Sequence, residues 1–437
     1  MDHALVLVAG TGIDGENLSR YGEKVFGGNP QIKRLLITAE RAGIKKFTII
    51  VDGNAAPLKE YINKEKRIKS EIVWHHLGTP LDLDSNPYLV IQSNLITTPN
   101  ALESIIESPV SENEVAVLVE ESEGPLVKSN GDNKIEELFS GGGRVVGAFA
   151  ADGKLLEKTL TDQAHITTLL DNATTGGELK SIKFENGYWM RMDSAGNTTE
   201  TAEDLLFENV TKSSSGWLSR NIHSKMSIPL SRLLIKTPLT PNMISGLIGF
   251  IGMLSGLFYI IGHPVVGALC LEVSTIVDRC DGEVARVKLM ETKYGQWVDT
   301  IFDQLSFLSF VVGVPIGYYL LSGSPMAVIL GSINTLIFLF FVVWTLYFLF
   351  RLTHSGSMTT YYKVVDDLIP VQDRTFIHKI IIKLRPMFKR EFFSLVFLIA
   401  AILGGYPWVL GLTTLGLGAA FIHQVDDLIK LKRAKAI

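Results

Sequence analysis

The arrangement of apolar positions divides the chain into two unlike parts. Up to about Lys212, short apolar runs alternate with stretches of helical period. Ala4–Ala9 (ALVLVA) reads as a buried strand entering a Gly-rich turn, Pro30–Ala42 as a helix, and Phe47–Val51 (FTIIV) as a second strand. Glu71–Leu77, Tyr88–Gln92 and Val115–Val119 are further strand candidates. Strands alternating with helices predict an α/β domain with an open, mostly parallel sheet covered on both faces.

Beyond a short polar stretch, Thr211–Ser215, the pattern changes. Gly216–Lys236 carries apolar residues at helical spacing with Arg220, Lys225, Arg232 and Lys236 between them. This predicts an amphipathic helix lying in a membrane interface. Six long apolar segments follow, at about Asn242–Gly262, Val265–Lys288, Gly295–Leu321, Met326–Leu352, Glu391–Gly405 with its flanks, and Trp408–Leu431. Each approaches the roughly 20 residues that cross a bilayer as a helix. The expected plan is therefore residues 1–212 as a cytosolic α/β domain, 213–240 as linker and interfacial helix, and 241–437 as an all-α, six-helix transmembrane domain. The turns near Gly262–Pro264, Ser322–Pro325 and Gly404–Pro407 lack Lys and Arg, whereas Lys288–Lys293, Arg351–Arg390 and the tail from Lys430 are rich in them. Positive residues favour the cytoplasmic side. Both termini are thus expected in the cytoplasm of a cell bounded by this inner membrane.

Charge sharpens the division. The formal net charge of −4 conceals an acidic first part and a basic second part, which suits a bilayer partner for the latter. The two cysteines, Cys270 and Cys280, share one segment. Ten residues of helix separate them by about 15 Å, too far for a disulfide. The opening MDHALVLVAGTG has an acidic start and lacks the basic region of a signal peptide.

The chemistry concentrates in TIVDRCDGEVARVKLMETKYGQWVDTIFDQ. Asp278 and Asp281 lie near the end of the second segment, Asp299 and Asp303 near the start of the third. Spacings of three and four place each pair on one helix face, and the short turn between the segments brings the pairs together. Four carboxylates in a partly apolar site repel and need cations. An oxygen-only set suits Mg²⁺ or Mn²⁺, one or two ions that also meet substrate phosphate. Gly282 and Gly295 permit close approach of a backbone or ligand, and Arg286 offers a guanidinium to phosphate. A transporter or cation channel would instead set carboxylates near mid-membrane on several helices. Clustering at one boundary disfavours that class.

Asp278-x-x-Asp281-Gly282-x-x-Ala285-Arg286, then eight residues, then Gly295-x-x-x-Asp299-x-x-x-Asp303 resembles the full signature of the CDP-alcohol phosphotransferases. The resemblance covers roughly Gly216 to the C-terminus and implies a six-helix fold. It implies a reaction in which a hydroxyl acceptor displaces CMP from a CDP-alcohol donor. Asp278, Asp281 and Asp299 would be metal ligands. Asp303 would be the general base and also touch metal. Gly282, Ala285 and Arg286 would hold the cytidine diphosphate, with Gly295, Thr292 and Asn242 (of Leu239-Thr240-Pro241-Asn242) bordering the nucleotide. Arg351, Lys389 and Arg390 stand about where relatives with phosphorylated inositol acceptors place basic residues; Phe393 stands where a further arginine is expected. The resemblance also implies a homodimer, and no nucleic-acid partner is expected.

The opening VLVAGTG and the following helix and FTIIV strand resemble sugar-nucleotide cytidylyltransferases. The combination with SRNIHSKMSIPLSRLL and the membrane domain looks like bifunctional inositol-1-phosphate cytidylyltransferase/phosphotransferases. The departures bear on activity. Ile13-Asp14 follow GTG where the family has Arg, and Arg20-Tyr21, with Lys24 near, replace a phosphate-contacting Pro-Lys pair. Ser93-Asn94 stand at the first metal position and Trp189-Met190-Arg191 at the second. Without those carboxylates, the N-terminal domain is expected to be a degenerate nucleotidyltransferase. The alternative is a bifunctional enzyme that also makes its CDP-alcohol from CTP and an alcohol phosphate such as inositol 1-phosphate.

Overall fold

The computed structural model describes all residues except 14, 112, 121–127, 130–134, 138–143, 162–165, 177, 185, 195, 213–222, 355, 358–359, 361–389 and 434–437. The chain forms two compact units, Met1–Leu206 and Phe207–Ile437.

In the first unit the strands are β1 (His3–Leu7), β2 (Val25–Phe26), β3 (Asn29–Pro30), β4 (Lys46–Val51), β5 (Glu71–His76), β6 (Pro87–Gln92) and β7 (Leu95–Thr97). They continue with β8 (Val115–Glu120), β9 (Lys128–Ser129), β10 (Ile135–Glu137), β11 (Arg144–Asp152), β12 (Leu179–Lys183) and β13 (Trp189–Arg191). Helices α1 (Gln31–Arg41), α2 (Ala56–Asn63), α3 (Pro99–Ile106), α4 (Gly153–Thr161), α5 (Ile166–Thr175) and α6 (Thr199–Lys212) intervene. Seven strands make one sheet in the order β12-β8-β11-β6-β1-β4-β5. Its pairs are parallel except those of β11, which runs antiparallel to both β6 and β8. Alternate residues of β1 supply both cores: Ala4 and Val6 pack with α1 and α3, Leu5 and Leu7 with α4 and α5. A sheet buried on both faces needs such continuous apolar strands, the feature that made them legible.

β1 lies between β4 and β6, so the chain order reverses at β1 and β6. Ligand crevices of open α/β sheets form beyond the carboxyl ends of strands at such a reversal. The Gly-rich turn and Ser93-Asn94 occupy that place. Sequence periodicity missed β11 and β12. Thr211 and Lys212, read as the start of a linker, are the last turn of α6.

The second unit contains α7 (Ser224–Leu234), α8 (Pro241–Ile260), α9 (Pro264–Val287), α10 (Lys293–Ser322), α11 (Pro325–Phe348, continued by a π-turn to Thr353) and α12 (Arg390–Arg433). Among the described residues, four helices are long and apolar enough to cross a membrane: Pro241–Ile260, Lys293–Ser322, Pro325–Arg351 and Phe392–Asp426. The charges of α9 exclude it on composition. The fifth and sixth predicted segments share one continuous helix assignment, α12, broken at Gly405 with φ 62° and ψ −145°. There the chain folds back, because Phe393 before the break packs against Gly416 beyond it. Tyr259, Phe310, Phe397, Tyr406 and Val409 centre the apolar core of this unit.

The helix α7 has two unlike faces. Its buried residues are polar, Ser224, Ser227 and Ser231, while Met226 and Leu233 are exposed. Gly216–Asn221 of that expected helix lie outside the described residues.

Candidate active site

The site is built where α9 ends and α10 begins. α9 closes in a reversal at Leu289, whose φ is 57°. Met290 N–H donates to the Ala285 carbonyl at 2.7 Å and Leu289 N–H to the Arg286 carbonyl at 3.1 Å. This is the Schellman arrangement, with leucine in the left-handed position that glycine usually takes; the substitution costs about 1–2 kcal/mol. Thr292 then caps α10, its Oγ1 accepting from Gly295 N–H at 2.9 Å. The turn lays the start of α10 beside the end of α9.

The structure brings Asp278, Asp299 and Asp303 together, each offering one carboxylate oxygen within 4.8 Å of the others. All three are partly exposed, so the cluster is reachable. Asp281, expected as a further ligand, is buried and directs its carboxylate to the Ser245 hydroxyl of α8 and to Gly282 N–H, while remaining within reach of Asp299. Asp281 thus joins the other three carboxylates through Asp299 while its remaining bonds run to Ser245 and to its own backbone. An acidic side chain out of water must find donors, and Ser245 and the backbone supply them.

Arg390, at the head of α12, enters the same cluster. Its Nη1 donates to Asp303 Oδ1 and stands 4.0 Å from Asp278 Oδ2, while Nη2 donates to Ser274 Oγ at 2.9 Å. The cluster and Arg390 therefore share one compact polar volume at the end of the bundle. Arg351 is exposed and donates to the Tyr347 hydroxyl one turn back on its own helix. Lys389 lies outside the described residues. Phe393, standing where a further arginine was expected, stacks on Phe397 with ring centroids 5.9 Å apart.

On the neighbouring flank, Arg286 lies over Gly282, its Nη2 3.8 Å from the position a Cβ there would take. Asn242 Oδ1 comes within 3.0 Å of where a Gly295 Cβ would stand, so a side chain at 295 would press on Asn242. Gly282, Ala285, Arg286, Gly295, Thr292 and Asn242 thus border the ends of α8, α9 and α10, with Thr292 also serving as a cap. Sequence reasoning missed Ser245, Ser274 and the segment at Gly356, whose carbonyl accepts from Thr300 Oγ1 at 2.6 Å. It also missed Glu283, which accepts from Ser227 and Ser231. Small hydroxyl residues in apolar helices carry no local signal of a partner about fifty positions away.

In the first unit the crevice beyond β1 and β6 is occupied by tethers. Ser93 Oγ donates to the Leu18 carbonyl at 2.7 Å and Asn94 Nδ2 to the Met192 carbonyl at 3.0 Å. Glu16, within the Gly-rich turn, accepts from Tyr21 Oη at 2.7 Å and from Ser194. The aliphatic part of Arg191 lies across Gly147 of β11, and its guanidinium faces the Trp189 ring.

A membrane-type helical bundle with an oxygen-only carboxylate cluster beside glycines and an arginine defines a phosphate-handling transferase. Residues 238–419 match the CDP-alcohol phosphatidyltransferase family. A bifunctional IPC transferase and DIPP synthase of Aquifex aeolicus is 24% identical over 334 residues, covering 71% of this chain and 76% of that protein. The protein of the same description from Thermococcus kodakarensis is 24% identical over 374 residues, covering 76% and 80%. An archaetidylinositol phosphate synthase of Pyrococcus horikoshii is 30% identical over 100 residues, 22% of this chain and 53% of that protein. Among solved structures, the inositol-1-phosphate CTP transferase from T. maritima aligns with 47% of this chain and 94% of its own at 19% identity and a TM-score of 0.37.

Proposed function

We propose that this protein transfers the phosphoryl-alcohol group of a CDP-alcohol to a hydroxyl acceptor and releases CMP, at the site formed by Asp278, Asp299 and Asp303. The observation that carries this reading is the meeting of those three carboxylates, from two helices, beside the Gly282–Arg286 flank. Their donor set fits a hard divalent cation. Three oxygens lie close enough to share one ion or a pair, with no nitrogen or sulfur ligand among the described residues of the cluster. Mg²⁺ or Mn²⁺, as two ions, would be held by Asp278, Asp281, Asp299 and Asp303. A bound divalent ion would supply charge neutralisation at the pyrophosphate.

The chain's own groups do the rest. Asp303 accepts the proton of the attacking hydroxyl. A base so placed contributes about 10²–10⁴-fold. Arg286 and the bare backbone at Gly282 hold the diphosphate, with Asn242, Ala285, Thr292 and Gly295 around the nucleotide. Arg390, already bonded to Asp303, meets a phosphorylated acceptor and keeps it next to the base. Arg351 and Lys389 add positive charge on the same side of the membrane. The names of the relatives point to inositol-type phosphates as donor or acceptor. The loop charges support a cytoplasmic site in the inner membrane, and the family resemblance supports a homodimer.

The nucleotidyltransferase-like domain is read as catalytically silent, because Ser93, Asn94 and Arg191 stand at the metal positions and are tied to the chain. The relatives described as bifunctional favour the second reading, that it makes the CDP-alcohol from CTP. The deciding experiment measures CMP release by the full chain in detergent over a panel of CDP-alcohols and hydroxyl acceptors. Release that requires both partners supports the transfer; absence of release from every pair refutes it.

A further inference from the structure

The back of α9 carries two charged side chains that the reaction leaves unused. Glu283 is 3% exposed and Lys288 5% exposed. They stand five residues apart, next to Gly282 and the Ala285-Arg286 pair. Glu283 accepts from Ser227 Oγ and from Ser231 Oγ, each at 2.7 Å, and lies 3.5 Å from the Arg279 guanidinium. Lys288 Nζ donates to the Thr237 carbonyl at 2.8 Å and to the Leu239 carbonyl at 3.2 Å.

Ser227, Ser231, Thr237 and Leu239 belong to one continuous stretch, α7 and the loop that follows it. That stretch ends at Thr240, whose side chain caps α8 by accepting from Met243 N–H at 3.4 Å. Asn242 stands in the first turn of α8, against Gly295. Glu283 therefore fixes the helix and Lys288 fixes the loop, with the start of α8 hung from both. The serine spacing is what makes this work. Positions 227 and 231 are one helical turn apart on one face, so one carboxylate takes a hydroxyl on each oxygen. The polar burial of α7 follows from the same bonds. A buried carboxylate and a buried ammonium are costly unless fully bonded, so this docking is specific rather than greasy.

We propose that Glu283 and Lys288 are positioning residues for the donor nucleotide: by clamping α7 and the 237–239 loop to α9 they set the distance between Asn242 on one wall and Gly282 and Arg286 on the other. This rests on the reading of those walls as the nucleotide site. A misplacement of about 1 Å in a binding wall costs up to 10²-fold, so the clamp governs donor capture while Asp303 governs the chemical step.

The test uses the full chain in detergent. CMP affinity is measured by calorimetry, and donor KM and kcat by CMP release. Lys288→Met is expected to weaken CMP binding and raise the donor KM about tenfold, with kcat within about threefold, matching the loss of a charged hydrogen bond. Lys288→Arg, which still reaches two carbonyls, is expected to restore both. The double variant Ser227→Ala with Ser231→Ala is expected to raise the donor KM in the same direction, and it decides the matter should Lys288→Met fail to fold. Lower thermal stability with unchanged CMP affinity and donor KM in these variants would overturn the proposal and leave a purely structural clamp. A wild-type chain that binds no CMP and releases none would overturn the nucleotide reading itself, and the clamp with it.

Discussion

The crevice of the first unit and the carboxylate cluster of the second both lie where chemistry is expected, yet they handle polar groups in opposite ways. In the crevice beyond β1 and β6, Ser93 and Asn94 are fully buried and bonded to backbone carbonyls, and Glu16 is taken up by Tyr21 and Ser194. Polar side chains there close the structure on itself. At the junction of α9 and α10, three carboxylates face one another with the Arg390 guanidinium beside them. Mutual repulsion makes that cluster unfavourable by itself. A scaffold that holds like charges together stores a demand for cations, whereas one that ties polar side chains to its own backbone gains rigidity. The contrast favours the second unit as the seat of the proposed transfer.

The largest test of this contrast is metal removal. Chelation of the full chain is expected to abolish CMP release, and added Mg²⁺ or Mn²⁺ to restore it; undiminished release in chelator would end the account. Next, Asp303→Asn is expected to lower CMP release by about 10³-fold while the variant elutes as wild type on gel filtration. The same variant isolates the first unit within the intact protein. Given CTP, an alcohol phosphate such as inositol 1-phosphate and Mg²⁺, it is expected to release no pyrophosphate. Sustained pyrophosphate release would erase the contrast and establish the bifunctional reading.

A smaller effect is expected in the framework. A Cβ at Gly317 would collide with the Tyr259 carbonyl, so Gly317→Ala is expected to destabilise the bundle by about 1–3 kcal/mol, read as a lower unfolding temperature in detergent. The smallest effect concerns Glu65 in the first unit. Burial raises its pKa, but hydrogen bonds from Arg67 and Lys33 outweigh that and bring it to about 2, against an ordinary 4.5. A carboxyl lowered on folding stabilises above its unfolded pKa, and loses that contribution as pH falls through the folded value. Glu65→Gln is therefore expected to lower stability slightly at pH 7 and not at pH 2, followed by denaturant melts at the two pH values.

Local pattern revealed what depends on local pattern. The runs at β1, β4, β6 and β8 are apolar because both faces of the sheet are covered, and the aspartate spacings of three and four specify a helix face without any knowledge of partners. The rest depended on distant pairing. β11 runs against its neighbours, a direction that no run of residues encodes. Asp281 turned to Ser245, and Ser227 and Ser231 to Glu283, because buried charge seeks whatever donor the fold supplies. Arg390 was marked as a basic residue near the site, but its bond to Asp303 arises only when α12 packs beside α9 and α10.

The glycines along α8 and α10 carry a consequence for motion. Side chains at Gly256, Gly313 or Gly317 would strike the carbonyl of Ser309, Gly256 or Tyr259 respectively, so these two helices touch main chain to main chain with no compressible layer between. Such a seam resists sliding, and Asp299 and Asp303 ride on it as fixed points. The first half of α12 ends at the break of Gly405 and meets the cluster through Arg390. The α8–α10 side is thus a stationary wall that carries two of the carboxylates.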